Sequence, residues 1–319
     1  MIVTVTLNAA IDRTLTVPNF RPGHRHRASD GLTLAGGKGI NIARALKCLE
    51  IPVVATGLAG GRTGTRIVEE LTAEAILNDF VRIGDESRTS TAVIDPTAGS
   101  YSEINEWGPY VEPEEIDFLL EKLRYLSRGA EFVVFAGSLP RGVDDGFYAE
   151  AIRELNRLHV PTVLDSEGPP LERGIEAEPF LVSPNQREAE DLVGQELSEE
   201  QDFVQALEQI ADMGARNVLI TFESGCYARL RQERSPRLLK ATAVRIEPIS
   251  PVGTGDVLLA GFLAGRSEER PAEEALRSAV AAGAAATLEA GAGRFEPRDV
   301  ARLLHDVQVT DLVPAESPF

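Results

Sequence analysis

EEIDFLLEKLRYL (Glu114–Leu126), EFVVF (Glu131–Phe135), DDGFYAEAIRELNRL (Asp144–Leu158) and PTVL (Pro161–Leu164) follow one another with short breaks, the last ending at Asp165. The first and third pieces carry apolar residues at helical spacing, and the second and fourth are short apolar runs rich in β-branched and aromatic residues. Strand and helix in alternation specify a parallel sheet with helices on both faces. The alternation continues with a short strand at Phe180–Val182, a helix over Glu199–Met213 and a strand at Asn217–Thr221. Gly225–Leu230 and Ala243–Ile246 read as late strands, and Thr254–Ala264 and the Ala-rich Glu273–Glu289 as helices. A final helix, Pro297–Leu304, has proline in its first turn, where a missing N–H does no harm.

Working back toward the start, Ile2–Leu7 is β-branched and apolar, like a buried central strand. Ala35–Gly39 reads as a loop, Ile40–Leu49 as a helix, Pro52–Thr56 as a strand and Gly64–Ala75 as a helix. Arg13–Val17, Thr89–Ile94 and Ser100–Ile104 alternate polar and apolar residues, with Asp95–Gly99 as a turn between the last two. These alternating strands, lying between Ile11 and Ile104, lack intervening helices and fit a small separate sheet serving as a lid. The expected fold is therefore α/β, a doubly wound and mostly parallel sheet with a β lid from about residues 11–34 and 88–106 on a single 1–319 unit. The tail Val313–Phe319 is expected to fray.

Composition narrows the function. With 32 basic and 50 acidic residues the chain carries a net charge of −18, which repels nucleic acid and anionic lipid and makes neither an expected partner. An anionic substrate then requires a local basic cluster. Two cysteines, Cys48 and Cys226, cannot build a disulfide framework or a cysteine-based zinc site, and fit a cytoplasmic setting. No run is long and apolar enough to span a membrane, and the start lacks the pattern of a signal peptide. The basic residues are overwhelmingly Arg, which singles out Lys38, Lys47, Lys122 and Lys240. The four histidines do not cluster as metal ligands.

Four short motifs carry chemistry. Pro251-Val252-Gly253-Thr254-Gly255-Asp256 opens directly into a helix pattern. Glycines there let a ligand approach the backbone, and the N–H groups and positive dipole end of a helix suit an anion. Asp256 is out of place in an anion hole unless it takes a proton from an attacking hydroxyl, and the competing reading is a helix cap. Gly36-Gly37-Lys38-Gly39-Ile40-Asn41 can hold sugar hydroxyls or a phosphate, although its spacing matches neither a P-loop nor a dinucleotide fingerprint. Ser183-Pro184-Asn185-Gln186-Arg187-Glu188 puts Asn185 and Glu188 three apart, suited either to a water-coordinated Mg²⁺ or to a capping box. Phe135-Ala136-Gly137-Ser138-Leu139-Pro140 is a strand end with a small-residue turn, where ligands sit in open α/β sheets. Arg27 and Arg88 lie on the lid segments and suit a phosphate.

In this order the motifs resemble the ribokinase-like (PfkB) carbohydrate kinases, in particular the branch of 1-phosphofructokinase and tagatose-6-phosphate kinase. The likeness runs from Thr4-Val5-Thr6-Leu7-Asn8-Ala9-Ala10-Ile11-Asp12-Arg13 to the Ala-rich Val280–Leu288, with Ser102–Pro109 as a branch marker. It implies phosphoryl transfer from ATP, with Mg²⁺, to a ketohexose monophosphate: fructose 1-phosphate first, fructose 6-phosphate or tagatose 6-phosphate as alternatives. By position, Asp256 is the base and Gly253, Thr254 and Gly255 the anion hole. Asp12, Gly37 and Asn41 hold sugar hydroxyls, and Arg27, Lys38, Arg88 and Ser138 meet the substrate phosphate. Asn185 and Glu188 organise Mg²⁺, through water, and the ATP phosphates. Thr221 and Gly225 lie along the nucleotide, with Ala282 and Ala286 near adenine. The resemblance also implies a homodimer through the lid. Ser183, where the family has Lys, and Thr221-Phe222-Glu223, where it has Ser-Leu-Gly, depart on the nucleotide side and leave open a non-catalytic sugar-phosphate binder.

Overall fold

The computed structural model describes residues 1–232, 235–243 and 252–312. The strand expected over Ala243–Ile246 lies, beyond Ala243, outside the described residues, as do Pro251 and the tail Val313–Phe319. The chain builds β1 (Ile2–Thr6), β2 (Ala10–Thr16), β3 (Asp30–Gly36), α1 (Lys38–Cys48), β4 (Val53–Gly60), α2 (Gly61–Ala73), β5 (Leu77–Ile83), β6 (Arg88–Asp95) and β7 (Ser100–Asn105). There follow α3 (Pro113–Leu126), β8 (Phe132–Ala136), α4 (Phe147–Arg157), β9 (Thr162–Asp165), α5 (Gly168–Ile175), β10 (Leu181–Val182), α6 (Gln186–Val193) and α7 (Glu200–Asp212). The remainder is β11 (Val218–Phe222), β12 (Gly225–Leu230), β13 (Arg237–Thr242), α8 (Thr254–Ser267), α9 (Ala272–Ala286), α10 (Pro297–Leu303) and β14 (Gln308–Asp311).

Among the described residues the main sheet has the order β14-β13-β12-β11-β10-β9-β8-β1-β4-β5. It is parallel from β5 to β11 and antiparallel over the last hairpins. β1 lies between β4 and β8, which explains its unbroken apolar and β-branched sequence: every residue of it is buried. Its side chains alternate between two cores. Ile2 joins the core with α1, α2, α8 and α9; Val3 and Val5 join the one with α3, α4, α5 and α7. The helices thus cover both faces, as expected of a doubly wound sheet.

The second sheet has the order β3-β2-β6-β7. Its strands are not contiguous in the chain, because α1, β4, α2 and β5 intervene before β6 pairs in parallel with β2. The sequence reading of strands without intervening helices is corrected on this point, and β3 occupies residues left there largely unassigned. β7 is exposed along its whole length.

α8 and α9 pack more closely than ordinary helices, and glycines are the cause. A Cβ on Gly261 would stand 2.9 Å from Ala279 Cα, and one on Gly265 would stand 2.8 Å from Ala275 Cα. Small residues on both helices let the backbones approach, which accounts for the alanine run in α9. The packing fixes the N-terminus of α8, where Gly253-Thr254-Gly255-Asp256 begins. Gly261→Leu should therefore destabilise the protein by about 3 kcal/mol, near the upper end for overpacking, and an unchanged thermal midpoint would contradict the close approach.

Candidate active site

The carboxyl ends of the parallel strands β1, β8, β9 and β10, together with the β11 end, open onto a cavity of about 1110 Å³. This is where open α/β sheets bind ligands. One wall is the four-stranded sheet, contributing Asp12, Arg88, Ser90 and Glu103. The α8 N-terminus and α9 form another wall.

Asp256 is buried in the first turn of α8, where Asn41 Nδ2 donates to its Oδ2 at 2.8 Å. Burial, with the nearby Asp165 charge, pushes its pKa up to about 7, while Lys38 and the Asn41 hydrogen bond pull the other way. A carboxylate poised near neutrality is matched to proton abstraction. Among the described residues Asn41 is its one hydrogen-bond partner, and the N-cap of α8 is Gly253, in the left-handed region at φ 76°. A Cβ there would stand 2.7 Å from Ala292 Cβ, so glycine is required on both counts. Beside Asp256, nothing lies within 4 Å of where a Cβ on Gly255 would be, and the backbone there is open to the cavity.

Lys38 begins α1 and reaches across the strand ends. Its Nζ donates to Asp165 Oδ1 at 2.7 Å and to Glu188 Oε1 at 3.3 Å. Burial would lower its pKa, but Asp165, Glu188 and Asp256 outweigh that and raise it, so it remains an ammonium. Glu188 and Asn185 form a capping box at the start of α6: Glu188 N–H donates to Asn185 Oδ1 at 3.0 Å and Asn185 N–H to Glu188 Oε2 at 2.8 Å. Both carboxylate oxygens of Glu188 are therefore engaged, one by a backbone N–H and one by Lys38. Among the described residues no cluster of three His, Cys, Asp or Glu is arranged to ligate a metal directly.

On the lid side Arg88 Nε donates to Asn8 O at 3.2 Å and Nη1 to Asn105 Oδ1 at 3.4 Å. Burial pushes the Asp12 carboxyl up to about 6 against the lowering effects of Arg88, Arg44 and the Gly37 N–H. Ser138 Oγ accepts from Asn8 Nδ2 at 3.2 Å, while Asn8 Oδ1 is buried without a partner. That oxygen lies against Gly108, where a Cβ would stand 2.2 Å away, and is closed to the cavity.

The structure thus brings Asp12, Gly37, Lys38, Asn41, Arg88, Ser138, Asn185, Glu188, Thr221, Gly225, Gly253, Thr254, Gly255 and Asp256 to one cavity. It separates three others. Arg27 is exposed on the segment between β2 and β3, outside this chain's cavity. Ala282 and Ala286 are buried away from it; the face of α9 that lines it is Val280, Gly283, Ala284 and Thr287, at helical spacing. The reason is packing, since Ala282 turns toward Gly261 of α8. Lys38 is paired with Asp165 and Glu188, so it does not form one cluster with Arg27 and Arg88. Asp165 and Asn8 were not singled out from sequence; the available signals were an acid at a buried strand's end and an amide just past β1. Glu223 stands on the cavity rim in the turn between β11 and β12.

The sequence profile described as pfkB family carbohydrate kinase matches residues 2–299. A 1-phosphofructokinase of Bacillus subtilis is 32% identical over 312 residues, covering 98% of this chain and 100% of that protein. Phosphofructokinase-2 of Escherichia coli, solved with fructose-6-phosphate, superposes with a TM-score of 0.85 at 27% identity, covering 95% of this chain and 98% of that one. A ribokinase of Arabidopsis thaliana, solved with ribose and ATP, shares the fold at a TM-score of 0.73 and 21% identity, over 95% of this chain and 98% of that one. Profile, relatives and fold agree over nearly the full length, and the chain belongs to the pfkB family of carbohydrate kinases.

Proposed function

We propose that this sugar kinase transfers the γ-phosphoryl group of ATP to a ketohexose monophosphate, converting fructose 1-phosphate to fructose 1,6-bisphosphate with Asp256 as general base. The observation that carries the reading is Asp256 itself: a buried carboxylate poised near neutral pH at a helix N-terminus, beside an open glycine, in the same cavity as Arg88. The similarity to proteins named 1-phosphofructokinase supports the choice of acceptor.

The roles follow from position. Asp12 and the Gly37 backbone would hold the sugar's hydroxyls, and Arg88 and Ser138 its existing phosphate. Asn41 has both ends of its amide engaged and orients Asp256 instead. Asp256 takes the proton of the acceptor hydroxyl as that oxygen forms its bond to the γ-phosphorus. The bond from that phosphorus to the bridging oxygen breaks, and ADP leaves with the electron pair. The Gly253-Thr254-Gly255 turn and the α8 dipole stabilise charge on the phosphoryl oxygens. Lys38 supplies the ammonium near the transfer path. Thr221 and Gly225 line the donor groove, with Gly283, Ala284 and Thr287 in place of Ala282 and Ala286 beside the base. Mg²⁺, when bound, neutralises donor phosphate charge. With both Glu188 oxygens engaged, the donor set fits contact through water to Glu188 and Asp165. The exposed edge strand β7, with Ile104 65% exposed, supports a homodimer through the lid.

Asp256→Asn should lower kcat by about 10²–10⁴-fold with little change in sugar-phosphate affinity. In the wild type, kcat/KM should rise with pH through about 7, because the base must be deprotonated and its pKa is raised to that value. Near-normal turnover of the variant would sink the base assignment. Arg88→Ala should weaken fructose 1-phosphate binding by about 2–5 kcal/mol while leaving any weak activity on unphosphorylated fructose nearly unchanged; equal losses on both would show that Arg88 is structural. Glu223→Gly should lower the KM for ATP by relieving like-charge repulsion at the rim, and steady-state kinetics showing a higher KM would contradict this.

A further inference from the structure

Arg44, one turn after Asn41 on α1, touches no part of the cavity and is buried. Its guanidinium contacts four elements. Nε and Nη2 donate to Glu74 Oε2 and Oε1 at the end of α2, at 2.6 and 3.0 Å. Nη2 also donates to Ala35 O in β3 at 2.7 Å, and Nη1 donates to Ala292 O at 3.2 Å. Nη1 further donates to Asn41 Oδ1 at 3.4 Å, while the other end of that amide, Nδ2, holds Asp256. β3 is an edge strand of the lid, so the outer backbone groups of Ala35 need partners from outside the sheet. Arg44 satisfies its carbonyl, and Glu70 Oε2 accepts from its N–H at 2.6 Å.

An Asn side chain with no partner on its oxygen is free to turn over. In the orientation seen here the amide donates to Asp256; turned over, it would present its oxygen to the carboxylate and favour the protonated acid. We infer that Arg44 is a positioning residue for phosphoryl transfer: it locks the Asn41 amide so that Asp256 is held as a carboxylate, and through Ala35 it ties that lock to the end of β3. The inference rests on the reading of Asp256 as the base. The other charged groups facing Asp256 are Asp165 from β9, Lys38 from α1 and Asp12 from β2. None of them accepts a hydrogen bond from Arg44; its charge lowers the Asp12 carboxyl through space, an effect that Arg44→Met removes and Arg44→Lys keeps.

The test compares pH profiles of kcat/KM for wild type, Arg44→Met, Arg44→Lys and Glu74→Gln, with fructose 1-phosphate and fructose 6-phosphate as acceptors. Arg44→Met should move the acid limb upward by about one pH unit, so that activity at pH 7 falls roughly fivefold and largely recovers by about pH 9. Glu74→Gln loses the ion pair but leaves the Asn41 contact, and should keep the wild-type limb. Arg44→Lys, which cannot span all four acceptors, should shift the limb in the same direction and carries the test if Arg44→Met does not fold. A loss that is uniform across pH, or an equal limb shift in Glu74→Gln, would overturn the inference. Asp256→Asn separates the two claims: if it remains active, the base reading fails. If it is inactive while the limb in both Arg44 variants stays fixed, only the role given to Arg44 fails.

Discussion

The ammonium of Lys38 is the charge on which the cavity depends. Asp165, Glu188 and Asp256 converge at the ends of separate elements, and three carboxylates brought that close repel one another in a poorly solvated space. Lys38 contacts the first two directly and lowers the third through its field. Because it is the first residue of α1, it pins that helix to β9 and α6 from across the sheet. It also offsets, at one point, the repulsion that a chain of net charge −18 exerts on a phosphate. Asp256, buried but balanced between Asp165 and Lys38, stays near neutrality and is not forced fully to either protonation state.

Around this charge the backbone is laid in close layers. Gly253 lies against Ala292, and Gly293 meets the backbone of Asn41, where a Cβ would stand 2.6 Å from Asn41 O. The segment after α9 is therefore wedged between the Gly253–Gly255 turn and α1, and Arg44 donates to the carbonyl of Ala292. Gly261 and Gly265 carry the same economy of volume into the α8–α9 contact. Asp256, Asn41 and the two helices that carry them are thus positioned by van der Waals contact between backbones, which leaves little freedom for drift.

Much of this was legible in the chain. β1 reads as a central strand because it is buried on both faces, and α3, α4 and α7 announce themselves through one apolar stripe each. The elements that escaped reading are marginal ones. β5, β13 and β14 lie at or near the sheet's edges, where polar residues are tolerated and the apolar signal thins. α5 opens Gly168-Pro169-Pro170, which looks like a turn although proline is compatible with a first helical turn. At the site, glycine-rich motifs mark the turns that line the cavity, but sequence spacing does not reveal pairing. The resemblance groups Lys38 with Arg27, Arg88 and Ser138, whereas the fold gives it two acidic partners. Ala282 and Ala286 were placed by position along α9, and a quarter turn of that helix separates residues facing the cavity from those facing α8. Asn185 and Glu188 turned out to satisfy each other's backbone as a capping box while still lining the cavity.

The stretch of α9 that borders the cavity has a consequence for nucleotide choice. Val280, Gly283, Ala284 and Thr287 present methyl and methylene surface, bare backbone and a hydroxyl that donates to Ala284 O at 2.7 Å. On the proposed reading this wall receives the donor's base. It can grip a flat ring by contact area, but no side-chain amide or charge on it reads the ring's edge. Such a surface selects purines over pyrimidines by size and is nearly blind to the difference between an amino and an oxo substituent. Discrimination would then reside in the opposite half of the cavity, where the charged side chains of Asp12, Arg88 and Glu103 demand a matching partner.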